Sequence, residues 1–183
     1  MKNLANILTL TRLALLPFII ILLFMPDSWT WAAWTCLVLY IIGALTDYLD
    51  GWVARKFDQV SEFGRFLDPI ADKIFVVAIL VMLVEAGRVA PLGVIAVIII
   101  LVREFTVAGL REFLGPKDIK LPVTNLAKWK TTVQMIATGI LIVSPATPLY
   151  IDLIGLACLC GAAVLTVMTG WNYLKTAMTH MKS

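Results

Sequence analysis

The sequence predicts an all-α integral membrane protein with six transmembrane helices. Its 183 residues are 61% hydrophobic and have a mean hydropathy of +0.93, whereas about half of a soluble domain is apolar. A helix needs roughly 20 residues to cross a bilayer. Six apolar runs approach that length, and they lie near 7–26, 31–54, 68–86, 91–113, 126–145 and 150–172. The length of the chain suits a single domain, residues 1–183.

The distribution of lysine and arginine predicts the orientation. Fourteen of these fifteen residues lie at the N terminus, between 55 and 73, between 103 and 130, or in the C-terminal tail, and only Arg88 lies elsewhere. Cytoplasmic loops of membrane proteins carry an excess of such cations. Both termini and the segment between the second and third runs are therefore predicted to face the cytoplasm, which agrees with an even number of spans.

A cluster of aspartates lies between the second and third apolar runs. Asp47 and Asp50 are three residues apart and Asp68 and Asp72 are four apart, so each pair shares one face of a helix. If the two helices lie side by side, four carboxylates meet where the membrane core borders water. Carboxylates at such a place repel one another, and hard oxygen ligands suit one or two divalent ions such as Mg²⁺ or Mn²⁺. The pattern predicts a metal site that attracts a phosphate or pyrophosphate.

Small residues accompany these aspartates. Gly51 and Gly64 lack a side chain and Ala54 nearly does, which leaves room for a bulky, flat group beside the carboxylates. The alternative is that the aspartates cap helices, since Asp68 precedes Pro69 as an N-cap precedes a proline at the first helical position. Capping accounts for one aspartate more readily than for four with small residues between them.

The segment from Asp47 to Asp72 resembles the signature of the CDP-alcohol phosphotransferases. That signature is Asp-x₂-Asp-Gly-x₂-Ala-Arg-x₈-Gly-x₃-Asp-x₃-Asp, and the chain matches its eight fixed positions over twenty-six residues. Three flanking segments, 6–12, 103–112 and 127–134, resemble the bacterial branch of the family that makes phosphatidylglycerophosphate. The resemblance covers nearly the whole chain and is weakest in the last helix.

The resemblance implies a reaction on a CDP-linked lipid. CDP-diacylglycerol would donate its phosphatidyl group to sn-glycerol 3-phosphate and release CMP, with two Mg²⁺ or Mn²⁺ ions engaging the pyrophosphate. By the same resemblance, Asp72 would act as general base for the acceptor hydroxyl, and the metal ligands would be Asp47, Asp50, Asp68 and Asp72. The CDP-binding residues would be Asp47, Gly51, Ala54, Arg55, Gly64 and Asp68. The family likeness further implies a homodimer in the bacterial inner membrane, with the site facing the cytoplasm.

Cations in the fourth and fifth runs predict a pocket for a phosphate on the acceptor. Arg103 and Arg111 are eight residues apart, about two helical turns, and so lie on one face, while Lys128 and Lys130 begin the fifth helix. Arg103 lies inside an apolar run and needs an anionic partner. Glu104 is adjacent but is expected to point elsewhere on the helix, so a motif aspartate or a substrate phosphate is the expected partner. Further polar contacts are expected from Thr9, Arg12, Thr132 and Gln134.

Other interpretations remain open from the sequence. The cations could simply flank membrane helices and reach lipid phosphates. The reaction could use another acceptor, such as inositol phosphate, phosphatidylglycerol, serine or choline, although the basic residues favour a phosphorylated one. A divalent-ion transporter predicts charges near the bilayer midplane and an inverted repeat of broken helices, and neither is visible. A purely structural membrane subunit leaves the four aspartates without a role.

Overall fold

The structure is a computed structural model that describes residues 4–57, 62–115 and 125–181. Side chains are described for residues 7–46, 64, 66–115, 125–171, 173–175 and 177–178. In these ranges the elements are α1 (Leu4–Leu23), α2 (Thr30–Phe57), α3 (Glu62–Glu85), α4 (Pro91–Leu114), α5 (Asn125–Ile142), a 3₁₀ turn (Ser144–Ala146) and α6 (Leu149–Met181). The all-α prediction is confirmed for the part of the chain that the structure describes.

Each predicted apolar run corresponds to one helix, but the ends differ. The apolar runs 31–54 and 68–86 leave residues 55–67 as a polar connection between two helices, whereas α2 continues to Phe57 and α3 begins at Glu62. Pro69 therefore lies inside α3. Asp68 precedes it within the same helix, so the capping alternative is wrong for Asp68. Hydropathy does not mark these ends, because polar residues continue a helix as readily as apolar ones.

The described helices have the apolar character of a membrane protein. Two stretches, Pro91–Leu114 and Leu149–Lys175, are long and apolar enough to cross a bilayer, and α1 and α2 contain shorter apolar stretches, Ile7–Leu23 and Thr30–Thr46. Many large apolar side chains along these helices are exposed. An exposed apolar surface of this extent suits hydrocarbon rather than water.

The first of two compact units contains α1, α2, α3 and the segment Leu141–Leu149. Tyr40 of α2 stacks on Phe75 of α3 with their ring centroids 6.0 Å apart. A Cβ atom at Gly43 would lie 2.5 Å from the Phe75 ring, so a larger residue there would push α2 away from α3. Fully buried apolar side chains fill the interior, including Ile19, Leu23, Cys36, Ile79 and Leu83.

The second unit contains α4, α5 as far as Ile140, and α6 from Tyr150. Its buried apolar residues include Val97, Ile100, Val107, Ala137, Leu159 and Ala163. It also buries polar side chains, namely Lys130, Gln134, Thr138, Thr166 and Thr169. A buried polar group is costly unless it is hydrogen-bonded. These side chains therefore show where hydrogen bonds inside the second unit contribute to its stability.

Arg88, in the turn between α3 and α4, joins that turn to two other parts of the first unit. Its side chain is only 4% exposed, and its Nη1 donates to the carbonyl of Ile142, the last residue of α5, at 2.7 Å. Its Nη2 donates to Asp27 Oδ1, in the turn between α1 and α2, at 3.3 Å. The last carbonyls of a helix lack intrahelical partners, so Arg88 satisfies one of them and fixes both turns to the end of α5.

We expect Arg88→Met to destabilise the protein by about 1.5–3 kcal/mol, because the carbonyl of Ile142 loses a charged donor. Asp27→Asn tests the other contact. The Asp27 side chain is 65% exposed, so its loss should cost less than about 1 kcal/mol. Thermal unfolding of the purified protein in detergent measures both variants. Equal losses would contradict the greater importance of the carbonyl contact.

Candidate active site

The four motif aspartates lie on α2 and α3 of the first unit. Asp47 and Asp50 belong to the C-terminal part of α2, and Asp68 and Asp72 lie one turn apart on α3. Gly64 is buried one turn before Asp68, on the same face of α3. The motif side chains that lie outside the described residues are those of Asp47, Asp50, Gly51, Ala54 and Arg55. The convergence of four carboxylates therefore stays a prediction.

Thr9 links the motif to the first helix. It is fully buried, at 0% exposure, and its hydroxyl donates to Asp68 Oδ1 at 2.6 Å. A hydroxyl bound to a carboxylate makes a short, strong hydrogen bond. It restricts the orientation of Asp68 and leaves most of the carboxylate's acceptor positions for another ligand. Arg12, from which the sequence also predicts polar contacts, is buried one turn later on α1.

Asp68 and Asp72 fit the chemistry of a site for a divalent ion. Both side chains are half-buried, and both carry the hard oxygen ligands that Mg²⁺ and Mn²⁺ prefer. Ligating carboxylates are commonly held by a further hydrogen bond, as Thr9 holds Asp68. The described side chains do not include those of Asp47 and Asp50. Among the described side chains, no three His, Cys, Asp or Glu residues lie close enough together to hold a metal ion. Additional aspartate ligands would have to come from α2.

In the second unit, Glu104 accepts hydrogen bonds from two cations. Arg103 Nη1 donates to Glu104 Oε1 at 3.1 Å, and Lys130 Nζ of α5 donates to the same oxygen. The Arg103 and Glu104 side chains are 13% and 15% exposed, and that of Lys130 is 5% exposed. The expectation that Glu104 points away from Arg103 was wrong. Adjacent Cβ atoms diverge on a helix, but these long side chains bend towards each other, and Lys130 binds the carboxylate at the same place.

Arg103 also contacts α6. Its Nη2 donates to Thr169 Oγ1 at 3.2 Å, and its guanidinium carbon lies 5.6 Å from the centroid of the Tyr173 ring. The guanidinium carbon of Arg111 lies 5.7 Å from the same centroid. Cations within about 6 Å of an aromatic face are attracted to it. Tyr173 thus brings together two arginines that are eight residues apart on α4.

Sequence reasoning missed the contribution of α6. A usable signal was present, because three polar residues follow one another at helical spacing on one face of an apolar run; they are Thr166, Thr169 and Tyr173. A Cβ atom at Gly170 would lie 3.0 Å from Arg103 Cγ, so a larger residue there would press on the arginine. We call Arg103, Glu104, Arg111, Lys130, Thr169 and Tyr173 the Glu104 cluster.

The structure divides the four predicted phosphate-binding cations. Arg103, Arg111 and Lys130 belong to the Glu104 cluster. Lys128 is exposed, and no described contact joins its side chain to the cluster, because residues two apart on a helix point in different directions. Of the further polar residues, Thr132 is exposed and bonds within α5, whereas Gln134 is buried. The binding of a phosphate by any of these side chains stays a prediction.

We expect Thr9→Val to weaken Mn²⁺ binding about tenfold, because Asp68 loses the hydrogen bond that orients it. Thr9→Ser keeps the hydroxyl and should restore most of the affinity. Thr11→Val is the matched control on the same helix, since the exposed Thr11 hydroxyl donates to the carbonyl of Ile7 within α1. Calorimetry in detergent measures the affinities. The same affinity in Thr9→Val as in the wild type would contradict a role for this contact in metal binding.

Comparison with known proteins confirms the resemblance of the motif segment. The chain matches the CDP-alcohol phosphatidyltransferase family over residues 2–171. It is 41% identical over 182 residues to the CDP-diacylglycerol–glycerol-3-phosphate 3-phosphatidyltransferase of Rickettsia typhi, covering 98% of this chain and 99% of the relative. It is 38% identical over 216 residues to the protein of that name from Cereibacter sphaeroides, covering 98% and 97%. It is 36% identical over 184 residues to the protein of that name from Pseudomonas fluorescens, covering 99% of this chain and 93% of the relative. With matches of this extent, the chain belongs to the CDP-alcohol phosphatidyltransferase family.

Proposed function

We propose that the protein transfers the phosphatidyl group of CDP-diacylglycerol to sn-glycerol 3-phosphate, giving phosphatidylglycerophosphate and CMP. The observation that carries this proposal is the similarity along nearly the whole chain to relatives named for that reaction. The motif on α2 and α3 supports the same class of enzyme, because all eight of its fixed positions are present.

The motif aspartates support the use of a CDP-linked donor. Divalent-metal dependence is general in the family, and Asp68 and Asp72 present hard oxygen ligands from one face of α3. With Asp47 and Asp50 they would hold two Mg²⁺ or Mn²⁺ ions. When bound, such ions offset the charge of the diphosphate and stabilise the departing CMP. The small residues Gly51, Ala54 and Gly64, together with Arg55, would accommodate the cytidine.

Asp72 would serve as the general base. The acceptor hydroxyl oxygen attacks the phosphorus that carries the lipid, and its proton passes to the Asp72 carboxylate. The bond from that phosphorus to the bridging oxygen breaks, and CMP leaves with the electron pair. Asp72 would act mainly by its position beside the attacking oxygen. Thr9 keeps the neighbouring Asp68 in a fixed orientation.

The Glu104 cluster supports a phosphorylated acceptor. Arg103, Arg111 and Lys130 carry three positive charges against the single carboxylate of Glu104, and the exposed Lys128 can add a fourth. An excess of positive charge on side chains with several N–H donors suits a phosphate, which serine and choline lack. Charge alone does not distinguish glycerol phosphate from inositol phosphate, and the names of the relatives favour the former.

The proposal includes the membrane arrangement. Six helices would cross the bacterial inner membrane with both termini in the cytoplasm, supported by six apolar runs and by the distribution of cations. Trp29 and Trp31 stack with their ring centroids 5.8 Å apart and are exposed where α2 begins, as expected for aromatic side chains at a membrane interface. The acyl chains of the donor would stay in the bilayer while a soluble acceptor enters from the cytoplasm. A homodimer is expected from the family resemblance alone.

We expect Asp72→Asn to lower CMP release at least a hundredfold, because an amide cannot accept the proton of the acceptor. The assay uses purified protein in detergent with CDP-diacylglycerol, sn-glycerol 3-phosphate and Mg²⁺ or Mn²⁺. Asp152→Asn is the matched control, because Asp152 is also half-buried but lies in the first turn of α6. It should retain nearly full activity. Near-normal turnover by Asp72→Asn would show that Asp72 does not accept the proton of the acceptor hydroxyl.

The choice of acceptor is tested with the same assay. CMP release should require sn-glycerol 3-phosphate, and inositol phosphate, phosphatidylglycerol and serine should give only background. CMP release with a different acceptor would mean that the reaction class is correct but that sn-glycerol 3-phosphate is not the acceptor. If folded wild-type protein binds divalent ions but releases no CMP with any of these acceptors, the proposed reaction is refuted.

The orientation is tested by labelling single cysteines with a membrane-impermeant maleimide in spheroplasts, after replacement of Cys36, Cys158 and Cys160. Ser28→Cys, in the turn between α1 and α2, should react from outside. Ser183→Cys, at the C terminus, should react only after the membrane is opened. The reverse pattern would mean that the protein is inverted relative to the positive-inside rule.

A further inference from the structure

Glu104 has a place in the second unit that the phosphate-binding proposal does not explain. Its Oε1 accepts hydrogen bonds from Arg103 of its own helix and from Lys130 of α5. These are two of the side chains expected to bind the acceptor's phosphate. A carboxylate beside a phosphate site repels the ligand, so its presence calls for a role that outweighs this repulsion.

We propose that Glu104 is a positioning residue, which holds the Arg103 and Lys130 side chains where they bind the phosphate of the acceptor. The proposal rests on the proposed function. Lys130 and Arg103 are 5% and 13% exposed, and two cations that are largely removed from water and close together repel each other strongly. One carboxylate oxygen bound to both cations keeps them together.

The contacts with α6 fix the other side of Arg103. Thr169 accepts from Nη2, and the Tyr173 ring lies beneath the guanidinium. A guanidinium has five N–H groups, and the contacts to Glu104 and Thr169 use one on each terminal nitrogen. The buried Nε–H of Arg103 has no hydrogen-bond partner among the described residues. Arg103 is thus held in one orientation while it keeps donors for an anion, which is the arrangement that preorganised binding requires.

Charge and position predict opposite effects of removing Glu104. If only the net charge mattered, Glu104→Gln would make the site more positive and lower the KM for sn-glycerol 3-phosphate. If Glu104 positions the cations, the same change releases Arg103 and Lys130 and raises that KM. The sign of the change therefore decides between the two.

The first experiment measures kcat and both KM values for Glu104→Gln, together with its thermal stability. We expect the KM for sn-glycerol 3-phosphate to rise about tenfold or more, as for the loss of a hydrogen bond between charged groups, and the KM for CDP-diacylglycerol to change less than twofold. Glu85→Gln is the matched control, because Glu85 is exposed at the end of α3 in the first unit. A purely structural role would lower stability or the active fraction without this selective change.

A second variant keeps all charges in place and serves if Glu104→Gln does not fold. Thr169→Val removes the acceptor of Arg103 Nη2 and should raise the same KM about threefold, consistent with a weaker neutral contact. Thr138→Val is its control, since the Thr138 hydroxyl is also buried and donates to a carbonyl of its own helix, that of Gln134.

The outcomes separate this inference from the proposed function. Wild-type protein that shows no CMP release dependent on sn-glycerol 3-phosphate refutes the function itself. Active wild-type protein, with an unchanged or lowered KM in Glu104→Gln, overturns the positioning role and leaves the function standing. If Glu104→Gln does not fold, an unchanged KM in Thr169→Val overturns it instead.

Discussion

The structure depends on one constraint, which is that a charge removed from water must be paired. Arg88, Arg103 and Lys130 are the clearest cases, since each side chain is at most 13% exposed. Arg88 binds a helix-terminal carbonyl as well as Asp27, and the other two share Glu104. Lys130 joins α5 to Glu104 of α4, and Arg103 also donates to Thr169 of α6, so the positions of these three helices in the second unit follow partly from where their charged side chains find partners. Apolar packing fills the remaining interior.

Under the proposed function, the two units would bind phosphate groups in opposite ways. In the first unit the motif supplies carboxylates, which would bind a diphosphate only through intervening cations, and Thr9 fixes the carboxylate of Asp68 through a buried hydroxyl. In the second unit guanidinium and ammonium groups contact an anion directly, and Glu104 is the anion present. In both, a side chain from another helix restrains the charged group before any ligand binds. Such preorganisation lowers the entropic cost of binding.

Several features could be read from the sequence because they depend on residues that are close together in the chain. The apolar runs located the six α-helices of the described residues, and the spacing of Asp68 and Asp72 placed them on one face of a helix. The ends of α2 and α3 were not predictable in this way. Polar residues near the motif resemble a loop by hydropathy, although their backbone continues the helices to Phe57 and from Glu62. Pro69 suggested the start of a helix, and it lies inside α3.

The sequence by itself determined the all-α class, the family and the spacing of the motif aspartates, because apolar runs and motif spacing are local properties of the chain. The tertiary structure decided which groups meet. Thr9 and Asp68 are 59 residues apart, Lys130 and Glu104 are 26 apart, and Arg103 and Thr169 are 66 apart. No local pattern encodes such contacts, since long, flexible side chains take their orientation from neighbouring helices. The sequence indicated that Arg103 needs an anionic partner, and only the tertiary structure showed that Glu104 is that partner, that Lys130 of α5 shares it and that Thr169 of α6 holds the other side of Arg103.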